Sequence, residues 1–192
     1  MRAFVCTYLD AEWQARCHAV IDQLVASSEG RLRSVPQGTA HLTYAFIAAL
    51  PDEQLPALIG AVAKASARVP ALRVTLGPPS ILYGGSEARL VHLPAVDGRE
   101  ALANLARTLA DATRDALPGV DVTPTPAPHV TLARFRRRTR KRDARGVEDA
   151  IARHHATLRM DIDVAEVHIV ESRIGAGGPQ YLPRATASLA VR

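Results

Sequence analysis

A short strand-like motif occurs twice in this chain, once in each half, and it constrains the fold more than any other feature. The two copies read AHLTYAFI at 40–47 and PHVTLARF at 128–135. They share a small residue or proline, then histidine, an aliphatic residue, threonine, an apolar residue and alanine. Each copy follows a proline-containing turn, so the repeat predicts two equivalent strands in different parts of the chain.

Side chains alternate between the two faces of a strand, and this assigns the motif residues to faces. In the first copy the odd-numbered residues up to Ala45 share one face, and the even-numbered residues up to Phe46 share the opposite, buried face. The second copy follows the same rule. Each strand is therefore predicted to present an imidazole beside a hydroxyl. The residues concerned are His41, Thr43, His129 and Thr131.

A third His-x-Thr sequence tests how specific the motif is. His155 and Thr157 lie at the end of a predicted helix and follow His154, with no strand context. Positive side chains are favourable at a helix C-terminus, which explains this copy without chemistry. The other histidines are interpreted as packing or surface residues, although the strand that holds the second of them could border a cleft. They are His18, His92 and His168.

The hydrophobic pattern predicts an α+β fold. Strands are predicted at 2–8, 41–47, 71–76, 81–83, 88–93, 129–135, 161–172 and 181–191. Helices are predicted at 10–27, 51–68, 97–116 and 143–155. The segments 35–40 and 123–128 are predicted to be turn-like and extended, and GAGG at 175–178 to form a hairpin loop. Several strands are joined by short turns, which favours antiparallel pairing over a doubly wound parallel sheet.

The net charge of +5 comes from one segment. Eight of the 24 Lys and Arg residues lie in RFRRRTRKRDAR, from Arg134 to Arg145, and acids outnumber bases in the rest of the chain. Such a patch attracts phosphates and makes binding sensitive to salt. The alternative is a solvated loop that leads into a helix.

Several classes of protein are disfavoured by what the sequence lacks. The two cysteines, Cys6 and Cys17, are too few for a disulfide framework or a four-ligand zinc site. No glycine-rich phosphate loop of the dinucleotide or P-loop type occurs. The apolar runs are too short to span a membrane, and the N-terminus lacks the features of a signal peptide. We expect one cytoplasmic domain over residues 1–192, with no metal, no cofactor and no membrane partner.

The two motifs, H-L-T-Y and H-V-T-L, resemble those of the 2H phosphoesterase superfamily. Within it the chain is most similar to the bacterial and archaeal RNA 2′,3′-cyclic phosphodiesterases, long labelled 2′-5′ RNA ligases. The resemblance covers nearly the whole chain. RAFVCTYLD resembles the opening strand of that family, PHVTLARF its second motif with a following arginine, and EVHIVESRIGAGGPQYLP its final hairpin.

The resemblance implies a fold and a set of roles. Two pseudo-symmetric lobes would pair antiparallel sheets around a central cleft, with one His-x-Thr strand from each lobe. His41 would act as the proton donor and His129 as the proton acceptor, while Thr43 and Thr131 bind the phosphate oxygens. Arg134 is a further candidate for phosphate binding, although an ideal strand points its side chain away from His129.

The implied substrate is RNA with a 2′,3′-cyclic phosphate end, or a cyclic nucleotide, opened by a monomer that could also act as a 2′-5′ RNA ligase. Two alternatives stay open. One is a 2H phosphodiesterase for another cyclic or 2′-5′ linked nucleotide, and the other is an RNA-binding module without catalysis. Four aromatic residues are candidates to stack on a base, although packing explains each of them as well. They are Tyr8, Tyr44, Phe135 and Tyr181.

Overall fold

The computed structural model describes residues 1–136, 139–175 and 178–191. Its strands are β1 (Ala3–Tyr8), β2 (Leu32–Ser34), β3 (His41–Ile47), β4 (Leu72–Leu76), β5 (Ser80–Gly84), β6 (Glu87–Asp97), β7 (Val122–Pro124), β8 (His129–Phe135), β9 (Met160–Val164), β10 (Glu166–Gly175) and β11 (Gly178–Ser188). Its α-helices are α1 (Ala11–Ala26), α2 (Leu55–Ser66), α3 (Arg99–Ala116) and α4 (Arg145–His154).

The strands form one curled antiparallel sheet with the order β11-β10-β1-β3-β8-β6-β4-β9, and β5 pairs with the outer side of β6. The strands from β11 to β3 make one lobe and those from β8 to β9 make the other. The lobes meet where Leu42 of β3 pairs with Val130 of β8. This arrangement confirms the predicted α+β fold with two lobes, and it sets the two motif strands side by side at the centre.

Two short strands are exchanged between the lobes. β2 precedes β3 in the chain but pairs with β8, where Ser34 lies opposite Ala133. β7 precedes β8 but pairs with β3, where Pro124 lies opposite Ala45. The two exchanges are equivalent, so the centre of the sheet has approximate two-fold symmetry. The sequence does not reveal these strands, because three-residue strands formed by contacts with the distant half of the chain carry no periodicity of their own.

The first helix forms where the sequence predicts it. Asp10 is the N-cap, and its carboxylate accepts a hydrogen bond from the Trp13 amide at 2.8 Å, which satisfies a free amide of the first turn. The buried residues of α1 recur at helical spacing and pack on β2 and β8. They are Cys17, Val20, Ile21 and Leu24.

Gly98 starts α3 in a conformation that favours glycine. Its φ is 69°, and its amide donates to the Asp97 carboxylate at 2.8 Å. A Cβ atom here would lie 2.7 Å from the Val74 side chain and 2.9 Å from the Arg73 carbonyl oxygen. The close approach lets α3 turn directly back onto the sheet, where its buried leucines pack.

The main core lies between the helices and one face of the sheet, and the opposite face lines the cleft. α3 packs on β3 and β7, and α2 packs on α3. The cleft face has its own small apolar cluster of Phe4, Cys6 and Val170, with Tyr8 and Tyr181 packed against it. The polar motif residues therefore project from a sheet whose other face is tightly filled.

The predicted strand 161–172 is wrong as a single element, because it is two strands that serve different lobes. β9 pairs with β4, and β10 pairs with β1. The change occurs at Ala165, whose carbonyl accepts from the Leu189 amide at 2.8 Å. Burial alternates along β9 and then shifts by one residue at the adjacent exposed residues Ala165 and Glu166. The single predicted strand runs through this change of phase, which marks the break.

Other boundaries differ by a few residues. The helix predicted from residue 51 begins with a 3-10 turn at Asp52–Gln54, and a second 3-10 turn at Lys141–Ala144 precedes α4. β6 continues to Asp97 rather than ending at residue 93. In the predicted hairpin loop Gly175 pairs with Gly178, while 176 and 177 lie outside the described residues. In the described part of the chain, no helix has the length and apolarity to cross a membrane.

Candidate active site

Each motif strand contains a β-bulge directly after its threonine. In β3, Tyr44 has no partner in β1, because the register passes from Ala45 straight to Thr43. In β8, Leu132 is skipped in the same way opposite β6. A bulge adds one residue to a strand and shifts the alternation of side chains beyond it. The two halves therefore share an irregularity as well as a motif.

The bulges correct two expectations. Ideal alternation places Phe46 on the buried face, but it is 45% exposed, while Ala45 is fully buried in the main core. It also points Arg134 away from His129, but the same shift in β8 returns Arg134 to the cleft face. In both motifs two adjacent apolar residues follow the threonine, and both are buried, which strict alternation does not allow. Two adjacent apolar residues are therefore the feature of the sequence that could have indicated each bulge.

His41 lies at the start of β3 within a group of aromatic rings. Its ring stacks on Phe4 with centroids 5.0 Å apart, and it meets the rings of Tyr8 and Tyr181 edge-on at 5.7 and 5.6 Å. Its Nδ1 lies 2.6 Å from the Thr39 carbonyl oxygen. A carbonyl can only accept, so Nδ1 carries the hydrogen and Nε2 is left for proton transfer.

His129 is held in the equivalent way at the start of β8. Its Nδ1 lies 3.0 Å from the Ala127 carbonyl oxygen, two residues upstream, just as His41 contacts Thr39. The ring of His92 packs edge-on against it, with centroids 4.9 Å apart and an angle of 87°. In both motif histidines a backbone carbonyl fixes the tautomer and orients the ring.

The pairing between β3 and β8 brings these imidazoles together. His41 directly precedes Leu42, and His129 directly precedes its partner Val130. Extending the antiparallel register by one residue makes the histidines diagonal neighbours on one face, with Cα atoms about 7–8 Å apart. A tetrahedral phosphate fits between two side chains at that separation.

The motif threonines occupy the other two positions around this point. The same register sets Thr131 across from His41 and Thr43 across from His129. Thr43 is only 9% exposed, and Thr131 is half-buried. Each imidazole therefore faces a hydroxyl from the opposite lobe, so the four residues surround one position on the cleft face.

The electrostatic environment of this position is positive. Burial lowers the pKa of His41, the hydrogen bond to the Thr39 carbonyl opposes this, and electrostatic interaction with Arg134, and then with His129, lowers the pKa further. Burial raises the pKa of Tyr181, and Arg134 opposes that rise. His41 is therefore neutral in the free protein near neutral pH, and an anion bound between the lobes favours its protonation.

His92, interpreted from the sequence as a packing or surface residue, lies in the wall of the cleft. Its Nε2 is 3.0 Å from the Ser80 hydroxyl, and its Nδ1 is buried without a partner among the described residues. Burial, and then the charge of His129, lowers the pKa of His92 to about 4. His92 thus stays neutral beside His129, and only its strand position in the sequence points to the site.

Of the other candidates from the sequence, some line the cleft and some do not. Tyr44 is fully buried, and its hydroxyl donates to Thr7 at 2.9 Å, while Phe135 belongs to the main core, so neither can stack on a base. Tyr8 and Tyr181 do line the cleft. The third His-x-Thr copy lies away from the site, since His155 follows α4 and contacts the ring of His154.

Most described members of the basic segment make local contacts. Arg136 Nε donates to the Gly30 carbonyl at 2.8 Å, and Lys141 Nζ lies 5.7 Å from the centre of the Tyr83 ring. Arg142 pairs with Asp143 at 3.7 Å. Arg137 and Arg138 lie outside the described residues. Contact of the whole segment with RNA stays a prediction, and the residue whose charge acts on His41 is Arg134.

Comparison with models of known protein families shows to which family the chain belongs. The model of the 2′-5′ RNA ligase superfamily matches residues 10–175. The chain belongs to this superfamily. The resemblance to 2H phosphoesterases that the paired motifs carry is thereby confirmed. A search of curated protein sequences finds no match.

Several solved structures share the fold of this chain, although their sequence identity to it is low. TT0787 of Thermus thermophilus is 22% identical with a TM-score of 0.76, and 98% of each chain is covered. E. coli LigT complexed with 3′-AMP is 22% identical with a TM-score of 0.73, covering 98% of this chain and 97% of LigT. E. coli LigT complexed with phosphate is 21% identical with a TM-score of 0.66 and the same coverage.

Proposed function

We propose that this protein hydrolyses the 2′,3′-cyclic phosphodiester at RNA ends to a 2′-phosphate, without a metal ion. The observation that carries the proposal is the pair of imidazoles, one from each lobe, whose Nδ1 atoms contact backbone carbonyls and whose Nε2 atoms are available. Hydrolysis of a cyclic phosphodiester needs a base on one side of phosphorus and an acid on the other. Two histidines on one face meet this need.

Each proton has a defined path in this reaction. His129 Nε2 accepts a proton from water as the water oxygen bonds to phosphorus. The bond from phosphorus to O3′ breaks, and His41 Nε2 donates a proton to O3′. The products are a 3′-hydroxyl and a 2′-phosphate, and both histidines have exchanged protonation states. The anionic substrate itself favours the protonated His41 that the step requires.

The hydroxyls and the guanidinium supply electrostatic stabilisation. Thr43 and Thr131 are placed to donate hydrogen bonds to the non-bridging oxygens, where negative charge develops. Arg134 adds a positive charge on the same face beyond Thr131. These groups are the ones proposed to stabilise the transition state.

A nucleotide substrate is supported by the lobe that holds His41. Phe46 is 45% exposed, and its ring centroid lies 6.0 Å from that of Phe4, whose ring in turn contacts Tyr181, so an aromatic surface is available for a base. One related structure is that of LigT complexed with 3′-AMP. The proposal extends to a cytoplasmic monomer acting on RNA ends, with 2′-5′ ligation as the same displacement of O3′ by a 5′-hydroxyl in place of water.

One assay tests the proposal directly. The protein is incubated in EDTA with an oligonucleotide that ends in a 2′,3′-cyclic phosphate, and the product end is identified. We expect a 2′-phosphate, formed at the same rate with and without EDTA. A 3′-phosphate product, or turnover only after a divalent metal is added, contradicts the mechanism. Binding without turnover, unchanged when both motif histidines are replaced, supports the alternative of a non-catalytic RNA-binding module.

Thr43→Ala and Thr131→Ala are each expected to weaken transition-state binding by about 1–3 kcal/mol, because a hydrogen bond to a charged oxygen is lost. The measurement is kcat/KM on the cyclic-phosphate substrate. Thr43→Ser and Thr131→Ser keep the hydroxyl and serve as matched controls. Equal losses in the alanine and serine variants would assign the threonines to packing instead.

A further inference from the structure

Two arginines from distant parts of the chain are direct cross-strand partners. Arg33 of β2 pairs in register with Arg134 of β8. Partners in an antiparallel pair project from the same face of the sheet. The adjacent pair, Leu32 and Phe135, is buried in the main core. Arg33 and Arg134 therefore project together from the opposite face, on which the cleft lies.

These two charges lack the carboxylate that such a pair requires. Both side chains are exposed, and across residues 1–136, 139–175 and 178–191 neither has an ion pair or a hydrogen bond. Like charges directly opposite each other destabilise a sheet. The other lobe provides a contrast, since Arg173 and Arg184 both pair with the buried Glu171. The arrangement at Arg33 and Arg134 suits an anion from outside.

Arg33 and Arg134 belong to a row of cross-strand partners that runs across the sheet, and the next members of the row are apolar. Leu90 of β6 pairs with Arg134, and Leu82 of β5 pairs with Leu90. Leu82 is 42% exposed. Leu90 itself is buried, so the exposed apolar side chain of Leu82 lies two strands away from Arg134. Positive charge with apolar surface at that distance matches a nucleotide, in which a phosphate is joined to a base, better than it matches an isolated inorganic phosphate.

The approximate two-fold symmetry of the sheet relates the row of Arg33 to an equivalent row in the other lobe. In the other lobe the equivalent row holds Thr123 of β7, then Phe46 of β3 and Phe4 of β1. That row is uncharged and aromatic, whereas the row of Arg33 is cationic. The two sides of the cleft are therefore built for different parts of a ligand. A base fits the aromatic side, and a chain of phosphates fits the side of the arginines.

We propose that Arg33 and Arg134 bind an internucleotide phosphodiester upstream of the cyclic phosphate, so that the protein acts on RNA strands in preference to cyclic mononucleotides. The guanidinium fork matches phosphate oxygens in a bidentate geometry. This inference rests on the proposed function and adds to it a binding site for the internucleotide phosphate. It assigns a binding role to Arg33, which lies in a three-residue strand outside both motifs.

The experiment compares a trinucleotide ending in a 2′,3′-cyclic phosphate with a cyclic mononucleotide. In Arg33→Gln the ratio of kcat/KM for the trinucleotide to that for the mononucleotide is expected to fall by about tenfold, the effect of losing one charge-assisted contact. The salt dependence of trinucleotide binding should lose about one unit of slope. Arg68→Gln removes an exposed arginine just after α2, and both quantities should match wild type.

A change in the substrate identifies the contact. A trinucleotide with an uncharged methylphosphonate in place of the contacted linkage should bind wild type and Arg33→Gln equally, because the partner charge is absent. Thermal stability of Arg33→Gln should equal or exceed that of wild type, since a like-charge pair is removed. An unchanged ratio, an equal loss on both substrates, or a destabilised variant overturns the inference.

Failure of the proposed function is recognised separately. If wild type opens neither cyclic substrate, the catalytic proposal is wrong, whatever Arg33 does. Binding of a trinucleotide with a 2′-phosphate end, measured by fluorescence anisotropy, then tests Arg33 without any turnover. Weaker binding by Arg33→Gln than by Arg68→Gln supports the phosphodiester site, and equal binding overturns it.

Discussion

Replacing either motif histidine by alanine is expected to lower turnover of a cyclic-phosphate RNA end by roughly 10²–10⁴-fold, the usual effect of losing a general acid or base. The expectation follows from the equivalent settings of His41 and His129, each oriented through Nδ1 by a carbonyl two residues upstream. The measurement is the single-turnover rate with saturating enzyme, which isolates the chemical step from product release.

Two controls separate chemistry from folding. His41→Asn keeps a donor for the Thr39 carbonyl and fills part of the space between Phe4 and Tyr181, but it cannot transfer a proton. It should be folded and as slow as the alanine variant. His155→Ala changes the histidine of the third His-x-Thr sequence and should leave the rate near that of wild type. Near-normal turnover in His41→Ala or His129→Ala would remove the basis of the assignment.

The features that sequence reasoning predicts correctly are those with a local periodic signal. The strands that begin at His41 and His129 start and end as predicted, because alternation and the flanking prolines define them. The N-cap at Asp10 follows from local chemistry in the same way. The pairing of the motifs across one phosphate-sized position depends on the register of Leu42 with Val130, which no local pattern contains.

The features that it misses arise from contacts between distant segments. The bulges at Tyr44 and Leu132 shift Phe46 and Arg134 to the cleft face, although an ideal strand would place them elsewhere. The pairing of Arg33 with Arg134 depends on a strand exchanged between lobes. In each case tertiary pairing overrides the local pattern, and the residues affected are those that surround the candidate site.

The pH dependence of the single-turnover rate is expected to be bell-shaped. His129 must be neutral to accept a proton, so the rate falls as the pH is lowered. His41 must be protonated to donate, so the rate also falls as the pH is raised. Beyond each midpoint the rate should change about tenfold per pH unit. His92 lies beside His129, but with a pKa of about 4 it stays neutral across this range and adds no limb.

The sign of the His41 shift makes this prediction sharper. In wild type the two midpoints belong to the coupled pair, so the acid is measured in His129→Ala, where it titrates alone. Burial, the largest cause, places the pKa of His41 below the ordinary 6.5, and a lowered pKa means that the proton is lost at lower pH. The second-order rate constant, which reports the free protein, should therefore fall with rising pH through a midpoint below 6.5. The rate at saturation should fall at a higher pH, because the bound phosphate stabilises the protonated imidazole.

Coincident midpoints would mean that the phosphate does not contact His41, and a wild-type profile that is flat from about pH 5 to 9 would exclude the two-histidine mechanism.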